Sequence, residues 1–435
     1  MVTGIDGLQR PDDALYAVKE RSHRMTIALE DQSIVDPALI RCPYPFYAQL
    51  HAEAPVHRDP GTGMWLVAGY RDMQAVIKDT ATFSNDMVFV DRRPTPVPAE
   101  AVRIFAEEGY ARPQCLQRND PPHHARFRRL VDRAFTAGRV RAMAPYIDEV
   151  VRTLVTALPA GQPIDFVREF AVPLPCTVIA DQLGVPRSDI PLLKTWSDAL
   201  LDPVGMMITP DREIESARQV VDFQHYFAAR IAERRAEPRD DILTSLVAAM
   251  DGEAALSTEE VLNLMEQLLT GGNETTTNAI GAGLLLLIDH PDQQAKLRAD
   301  RSLIGNFVEE VLRTETPVQG LFRQTTCDAP LGDVIIPKGA VVMLRHGAVN
   351  RDPAKFPDPD RFDITRDNAG AQLAFGAGAH FCPGAMLARA ELATAFDQLL
   401  DRFSSFELVG DRDDIAYLPS FFLRGVRRLD VILQA

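Results

Sequence analysis

Cysteine is scarce and scattered. The five residues Cys42, Cys115, Cys176, Cys327 and Cys382 are odd in number, far apart and without a C-x-x-C pair. That argues against a disulfide framework or a structural zinc site and points to a reducing compartment, the cytoplasm. Long hydrophobic runs are also missing. The longest, Ala279 to Ile288, is interrupted by two glycines and closed by Asp289, well short of the ~20 apolar residues that cross a bilayer. The N-terminal stretch MVTGIDGLQRPDDALYAVKERSHR has no apolar signal core. Basic charge falls behind acidic, 46 Lys and Arg against 61 Asp and Glu, for a formal net charge of −15. General binding to nucleic acid or to an anionic membrane surface is therefore not expected. Repeats, low-complexity blocks and Gly/Ser linkers are absent as well. What is present is ordinary globular composition, 46% hydrophobic and 25% charged over 435 residues, enough to bury a large core. The expectation is an N-terminal extension, residues 1–35, followed by one large domain, residues 36–435.

The apolar periodicity is mostly helical after about residue 120, with β-like patches near both ends of the chain. A short helix is expected over Pro45–Ala54, strands at Ala54–Val56 and Met64–Val67, and a helix at Arg71–Lys78. Asp333–Ile336 and Ala340–Leu344 read as strands flanking the turn Pro337-Lys338-Gly339, and Phe406–Leu433 as short strands again. The fold class is thus mainly α with a smaller β-rich part, α+β. The longest helix is bounded by the capping box Ser257/Glu260 and by Pro291, and runs over Thr258–Asp289. At ~1.5 Å per residue it is roughly 48 Å long, the span of a whole domain. Its middle, Gly271-Gly272-Asn273-Glu274-Thr275-Thr276-Thr277, combines poor helix formers with β-branched hydroxyl residues, so something other than helix propensity selected it.

The strongest chemical signal is Phe375-Gly376-Ala377-Gly378-Ala379-His380-Phe381-Cys382-Pro383-Gly384, followed by helix-like Ala385-Met386-Leu387-Ala388-Arg389. Glycines around one cysteine let backbone approach a flat ligand, and a cysteine just ahead of a helix has its thiolate favoured by free N–H groups and the helix dipole. Such a cysteine suits the axial thiolate of a haem iron. An arbitrary cysteine in a turn is usually just buried packing, but the ten-residue context F-G-x-G-x-H-x-C-x-G resembles the haem-binding loop of the cytochrome P-450 superfamily. The resemblance implies a long central helix over haem b (iron protoporphyrin IX), Cys382 as the proximal metal ligand, and Phe375 and Gly384 as part of the cofactor site. Thiolate ligation pushes electron density onto iron and favours O–O cleavage.

Three further segments are similar to family motifs and extend the resemblance from about Asp36 to the C-terminus. Gly271-Gly272-Asn273-Glu274-Thr275 resembles the oxygen-binding groove G-G-x-(D/E)-T. A threonine bonding back to a carbonyl one turn earlier bends the helix, and Glu274 with Thr275 forms an acid–alcohol pair able to deliver protons. Glu310-Val311-Leu312-Arg313 is an E-x-x-R; the same spacing recurs at Glu100/Arg103, Glu149/Arg152 and Glu215/Arg218, where surface ion pairs are expected. By resemblance only Glu310 and Arg313 belong to a structural network, with Arg361, that locks the haem-loop side of the fold. Asp120-Pro121-Pro122-His123-His124-Ala125-Arg126-Phe127-Arg128 is similar to D-P-P-x-H-x-x-x-R. Helical spacing puts His124, Arg128, Val131 and Phe135 on one face and Arg126, Arg129 and Arg133 on another. The resemblance assigns His124 and Arg128, with Arg323 and His380, to the haem propionates. Small departures are His123, where an acidic residue is usual, and Val349, where alanine is usual.

The function implied is a haem-thiolate monooxygenase that activates O2 and hydroxylates or epoxidises an apolar organic substrate. Electrons from NAD(P)H would arrive through a separate reductase and a small acidic ferredoxin or flavodoxin, attracted by the arginine face. By resemblance the pocket draws on parts of residues 83–116, 172–226, 268–272, 318–322 and 420–423, with Met87, Phe89, Met206, Met207, Phe421 and Phe422 supplying apolar surface. The rivals are a peroxide-driven peroxygenase of the same fold and a non-catalytic haem carrier or sensor, neither of which needs Glu274 and Thr275. A cysteine hydrolase built on Cys382 and His380 is weaker still, since the pair has no oriented base.

Overall fold

The computed structural model describes residues 27–87, 95–251 and 254–435. Phe89 lies outside the described residues. Seven helices position the site: α1 (His123–Ala134), α2 (Pro173–Leu183), α3 (Ile190–Gly205), α4 (Pro210–Ala236), α5 (Thr258–Asp289), α6 (Ile304–Glu315) and α7 (Ala385–Arg402). Helix α5 has the expected bounds. The Glu260 N–H donates to the Ser257 hydroxyl at 3.1 Å, and the Ser257 N–H donates to the Glu260 carboxylate at 2.9 Å. It stays continuous through the double glycine because neighbours, not propensity, hold it: α2, α3, α6 and α7 all pack against it. At Gly272 the neighbour is so close that a Cβ would stand 2.8 Å from the Ile179 side chain.

A five-stranded sheet runs in the order 56–58, 65–67, 341–344, 321–325, 83–84. Its one parallel pair joins Val341–Leu344 to Trp65–Val67. The strands flanking Pro337–Gly339 are present but belong to different sheets, because Val334–Ile336 pairs back on Ala329–Leu331. Gly339, at φ +81°, makes the turn between them. Asp430–Gln434 pairs with Ser405–Leu408 on one side and Pro163–Asp165 on the other in a three-stranded sheet. The short N-terminal helix spans Tyr44–Glu53 and the strand after it Val56–Arg58, each displaced slightly from the expected bounds. Leu29 and Ile34 are packed in the core with Phe46, Tyr47 and Met64. The buried Asp59 carboxylate accepts from the Ser33 hydroxyl and the Ile34 N–H, both at 2.9 Å. Residues 29–34, expected to be part of an extension, therefore pack with the domain; residues 1–26 lie outside the described residues.

The E-x-x-R network forms with one change of partner. Arg313 is fully buried, donates to Glu310 at 2.7 and 2.8 Å, and donates to the carbonyls of Asn350, Pro359 and Arg361. Arg361 thus contributes its backbone only; its side chain is exposed and pairs with Asp363. The second guanidinium on Glu310 is that of Arg366, at 3.1 Å. The turn through Asp358–Arg361 points the Arg361 side chain outward and brings the buried Arg366 back onto the carboxylate. The other three E-x-x-R pairs lie on the surface, as expected.

Candidate active site

The loop ahead of α7 is shaped by two left-handed glycines, Gly376 (φ +67°) and Gly378 (φ +68°). It is pinned by the Leu373 N–H donating to Asn350 Oδ1 at 2.7 Å and the Cys382 N–H donating to the Phe375 carbonyl at 2.9 Å. Cys382 therefore sits just before α7, where burial pushes its thiol up while the N–H groups of Gly384 and Ala385 and the charges of Arg128 and Arg389 pull it back down. Arg389 also stacks on the Phe375 ring, 4.5 Å from its centroid. By contrast Cys115 and Cys176 are buried and both pushed up to about 12 by burial, the state of inert packing thiols.

A cavity of about 360 Å³ opens from Cys382 to the glycines of α5. His124, Arg128, Gly271, Gly272, Thr275, Arg323, Phe375, His380, Cys382 and Gly384 all line it, so ten of the expected residues meet at one place. A Cβ on Gly271 would meet nothing within 4 Å, consistent with α5 turning its open side to this space. The Thr275 hydroxyl donates to the Gly271 carbonyl at 2.9 Å, the back-bond expected from sequence.

Glu274 does not line the large cavity. It is buried in the wall of a second, small one of about 40 Å³, with Asp198 and Asp202. Lys194, on α3, donates to Glu274 at 3.1 Å and also to Asp198. One ammonium thus serves two carboxylates. Burial and Asp198 raise Glu274 above the ordinary carboxylate range, against the pull of Lys194. Burial alone would lower Lys194, but Glu274 and Asp198 outweigh it and the net shift is upward. Sequence reading missed this pair, which joins side chains 80 residues apart; only the i, i+4 spacing of Lys194 and Asp198 was visible.

At the other end of the cavity, cationic and donor groups converge. The His124 and His380 rings stand 4.1 Å apart, centroid to centroid. Both His380 ring nitrogens are buried and meet no hydrogen-bond partner among the described residues. Burial, His124 and two arginines push His380 down to about 3. Arg323 is buried, its side chain donates among the described residues only to the neighbouring Phe322 carbonyl, at 2.7 Å, and it is lowered by burial to about 10. Unpaired donors of this kind call for an anionic acceptor.

The substrate-side lining follows the expected segments through Met87, Leu200, Val204, Val318, Phe322 and Phe422. Three expected residues differ. Met206 caps α3 in a left-handed conformation, Phe421 packs in the adjoining core, and neither it nor Met206 or Met207 reaches the cavity. The expected arginine face is also incomplete: Arg126 bends away to pair with Glu260 at the start of α5, leaving Arg129 and Arg133 exposed. Two features had no sequence signal, namely the buried Glu391 of α7, which lines the cavity, and a charged patch around Glu266.

Flat-ligand access, a sulfur donor at a helix start and unpaired cationic donors at the rim fit iron protoporphyrin, with its central metal and two carboxylates. Fold and site together define a haem-thiolate protein. Comparison with known proteins makes the assignment specific: the Cytochrome P450 family model matches residues 192–424. Cytochrome P450 107B1 of Saccharopolyspora erythraea is 38% identical over 88% of this chain and 93% of its own length. The cytochrome P450 monooxygenase PikC of Streptomyces venezuelae is 38% identical over 89% of this chain and 90% of its own. The structure of cytochrome P450 CYP109Q5 from Chondromyces apiculatus superposes with a TM-score of 0.82 at 36% identity, covering 94% of this chain and 99% of that one.

The chain belongs to the cytochrome P450 family. It has the P450 fold and is a haem b-dependent monooxygenase, which uses O2, an organic substrate and electrons from redox partners. Among the described residues no helix is long and apolar enough to cross a membrane.

Proposed function

We propose that Cys382 is the thiolate ligand of the haem iron, that His124, Arg128, Arg323 and His380 hold the haem carboxylates, and that Thr275 and Glu274 move the protons of the reaction. Bound haem supplies the centre at which dioxygen is reduced and cleaved and one oxygen atom passes to an apolar substrate. The observation that carries this reading is the placement of Cys382: its sulfur lies under the influence of the N–H groups of Gly384 and Ala385 at the start of α7, on the cavity that Thr275 also lines. Those two N–H groups stabilise negative charge on sulfur without protonating it.

Thr275 spends its own proton on the Gly271 carbonyl, leaving its oxygen lone pairs to accept from, and so orient, a water in the cavity. Glu274 lies in the neighbouring side-chain position, beside a space large enough for water and under an ammonium shared with Asp198. A carboxyl raised in this way holds a proton at neutral pH more readily than an exposed one and releases it inward. Peroxide brings its own protons, so this pair supports use of dioxygen over a peroxide-driven reaction.

The electron donor in this reading is a small acidic ferredoxin or flavodoxin with its NAD(P)H reductase, docking where Arg129 and Arg133 of α1 lie exposed. Arg128 ties that helix to the haem loop by donating to the Ala379 and Phe381 carbonyls, and Phe381 and Met386 expose 41% and 42% of their surface. Free, exposed Cys42 and Cys327 support a cytoplasmic setting. The decisive experiment is Cys382→Ser. Its reduced carbon monoxide complex loses the red-shifted Soret band of thiolate ligation; retention of that band means another residue holds the iron.

A further inference from the structure

The walls of the large cavity are mostly apolar, from Ile179, Leu200, Val204, Phe322, Phe422 and Leu423. One stretch is not. Arg118 comes from the short turn Leu116–Arg118, and Glu266, Gln267 and Thr270 come from α5, within about a turn and a half ahead of Gly271.

The charge of this patch does not balance. Arg112 donates to Glu266 Oε1 at 2.6 Å, and Arg118 donates to the same oxygen at 3.3 Å. Glu266 is buried, with 7% of its side chain exposed, and two guanidinium groups share it. The nearest other carboxylate on this part of α5, Glu260, is taken by Arg126. Arg112 holds Glu266 by the short contact, so Arg118 is the surplus cation. Its long bond to Glu266 is the one side-chain hydrogen bond it makes among the described residues.

The neighbouring polar groups are already committed. Gln267 donates to the Cys115 carbonyl at 3.0 Å and to Asn263 at 2.7 Å, and its oxygen accepts the Gln117 N–H at 3.2 Å. The Thr270 hydroxyl donates to the Glu266 carbonyl at 2.9 Å. The donors left for a ligand are therefore those of Arg118, in a planar fork that matches a carboxylate.

We propose that Arg118 anchors an anionic head group, a carboxylate at the end of an apolar chain, and so sets both substrate class and the part of the chain oxidised. The proposal rests on the assignment of Cys382 and Thr275 to the reacting centre. Glu266 precedes Thr275 by nine residues, roughly 13 Å along α5, so a head group held at Arg118 leaves carbons remote from it near Thr275. A cation would face two arginines, and an alcohol would accept a hydrogen bond from Arg118 without bringing the negative charge that offsets it.

The test uses three probes with one chain and different heads: dodecanoate, dodecanol and dodecyltrimethylammonium, whose quaternary nitrogen cannot ligate iron. Each is titrated below its micelle concentration into the ferric haem-loaded enzyme, following the spin-state shift, and in parallel by calorimetry. Dodecanoate binds about tenfold or more tightly than dodecanol, as expected for a charge-assisted bond. Arg118→Gln abolishes that preference while leaving dodecanol within about twofold, and Arg118→Lys retains part of it. Equal binding of acid and alcohol, or preference for the ammonium, overturns the proposal, and the wild-type ranking decides it even if Arg118→Gln does not fold. The head-group ranking by calorimetry is independent of the carbon monoxide spectrum, so failure of this proposal is distinguishable from failure of the Cys382 assignment.

Discussion

His124 and His380 meet with their ring centroids 4.1 Å apart and their planes tilted by 46°, a contact between the first turn of α1 and the loop that ends in Cys382. Two neutral rings fit this spacing, and burial keeps both below their ordinary titration range. Both His380 nitrogens are without a hydrogen-bond partner among the described residues, which is what the proposed contact with a haem carboxylate needs.

His380→Phe keeps an aromatic ring against His124 but removes both nitrogens. Loss of one hydrogen bond to a charged acceptor speeds haem loss roughly tenfold, read as transfer of haem to excess apomyoglobin. Carbon monoxide difference spectra of freshly loaded protein stay thiolate-type. Unchanged transfer kinetics would assign His380 to packing alone.

Glu391 is 1% exposed, its Oε2 has no partner among the described residues, and burial alone raises it to about 8. Its folded-state value lies above the unfolded one, so the stability tied to the bound proton is complete below about pH 4.3 and is lost as pH rises toward 8. Glu391→Gln does not titrate. The melting temperature of the variant minus that of wild type therefore climbs between pH 5 and pH 8 and levels off above. A difference that is flat, or falls with pH, shows that Glu391 is ionised in the native enzyme.

What the sequence made legible were the interactions that close within one helix or one loop. Ser257 and Glu260 are three residues apart, Thr275 and Gly271 four, and the Cys382 loop is contiguous; each needs only local geometry. The rest depended on which distant side chain arrives. Glu310–Arg313 was visible, but the turn after Pro357 decided that Arg366 rather than Arg361 completes it. Helical spacing placed Arg126 with Arg129 and Arg133, yet Glu260, 134 residues away, claims it. Lys194 meets Glu274 only because α3 crosses α5 there. Apolar patterning likewise described most of the cavity wall and concealed the Arg118–Glu266 pair in it.

Exposed Arg129 and Arg133, on the helix that Arg128 ties to the haem loop, make the second electrostatic prediction. Arg129→Glu with Arg133→Glu slows first-electron transfer from an acidic ferredoxin several-fold at low ionic strength, and the gap closes as salt screens it over a Debye length of about 10 Å at 0.1 M. Substrate-induced spectral shifts do not change. Stopped-flow reduction over a salt series reads both effects. Wild-type rates for the variant at low salt place the docking face elsewhere.

The hydroxyl of Thr275 and the carboxyl of Glu274 occupy different cavities, and this separates their expected phenotypes. Thr275 lines the large cavity, and in the proposed reading it orients water there; removing its oxygen then leaves ligand binding and reduction intact while proton delivery loses its last ordered acceptor. Thr275→Ala therefore goes on consuming NAD(P)H but releases hydrogen peroxide in place of hydroxylated product, and added peroxide, which carries its own protons, restores part of the product. Glu274 lies between Lys194 and the small cavity, so in the proposed reading it acts one step further out. Glu274→Gln slows turnover as a whole, with a solvent isotope effect larger than wild type, while the product formed per reduced nicotinamide falls less than in Thr275→Ala. The ratio of product to reduced nicotinamide, measured for both variants under one set of conditions, decides the assignment. Equal ratios in Thr275→Ala and wild type would reduce Thr275 to a residue that shapes α5 and leave proton delivery to another route.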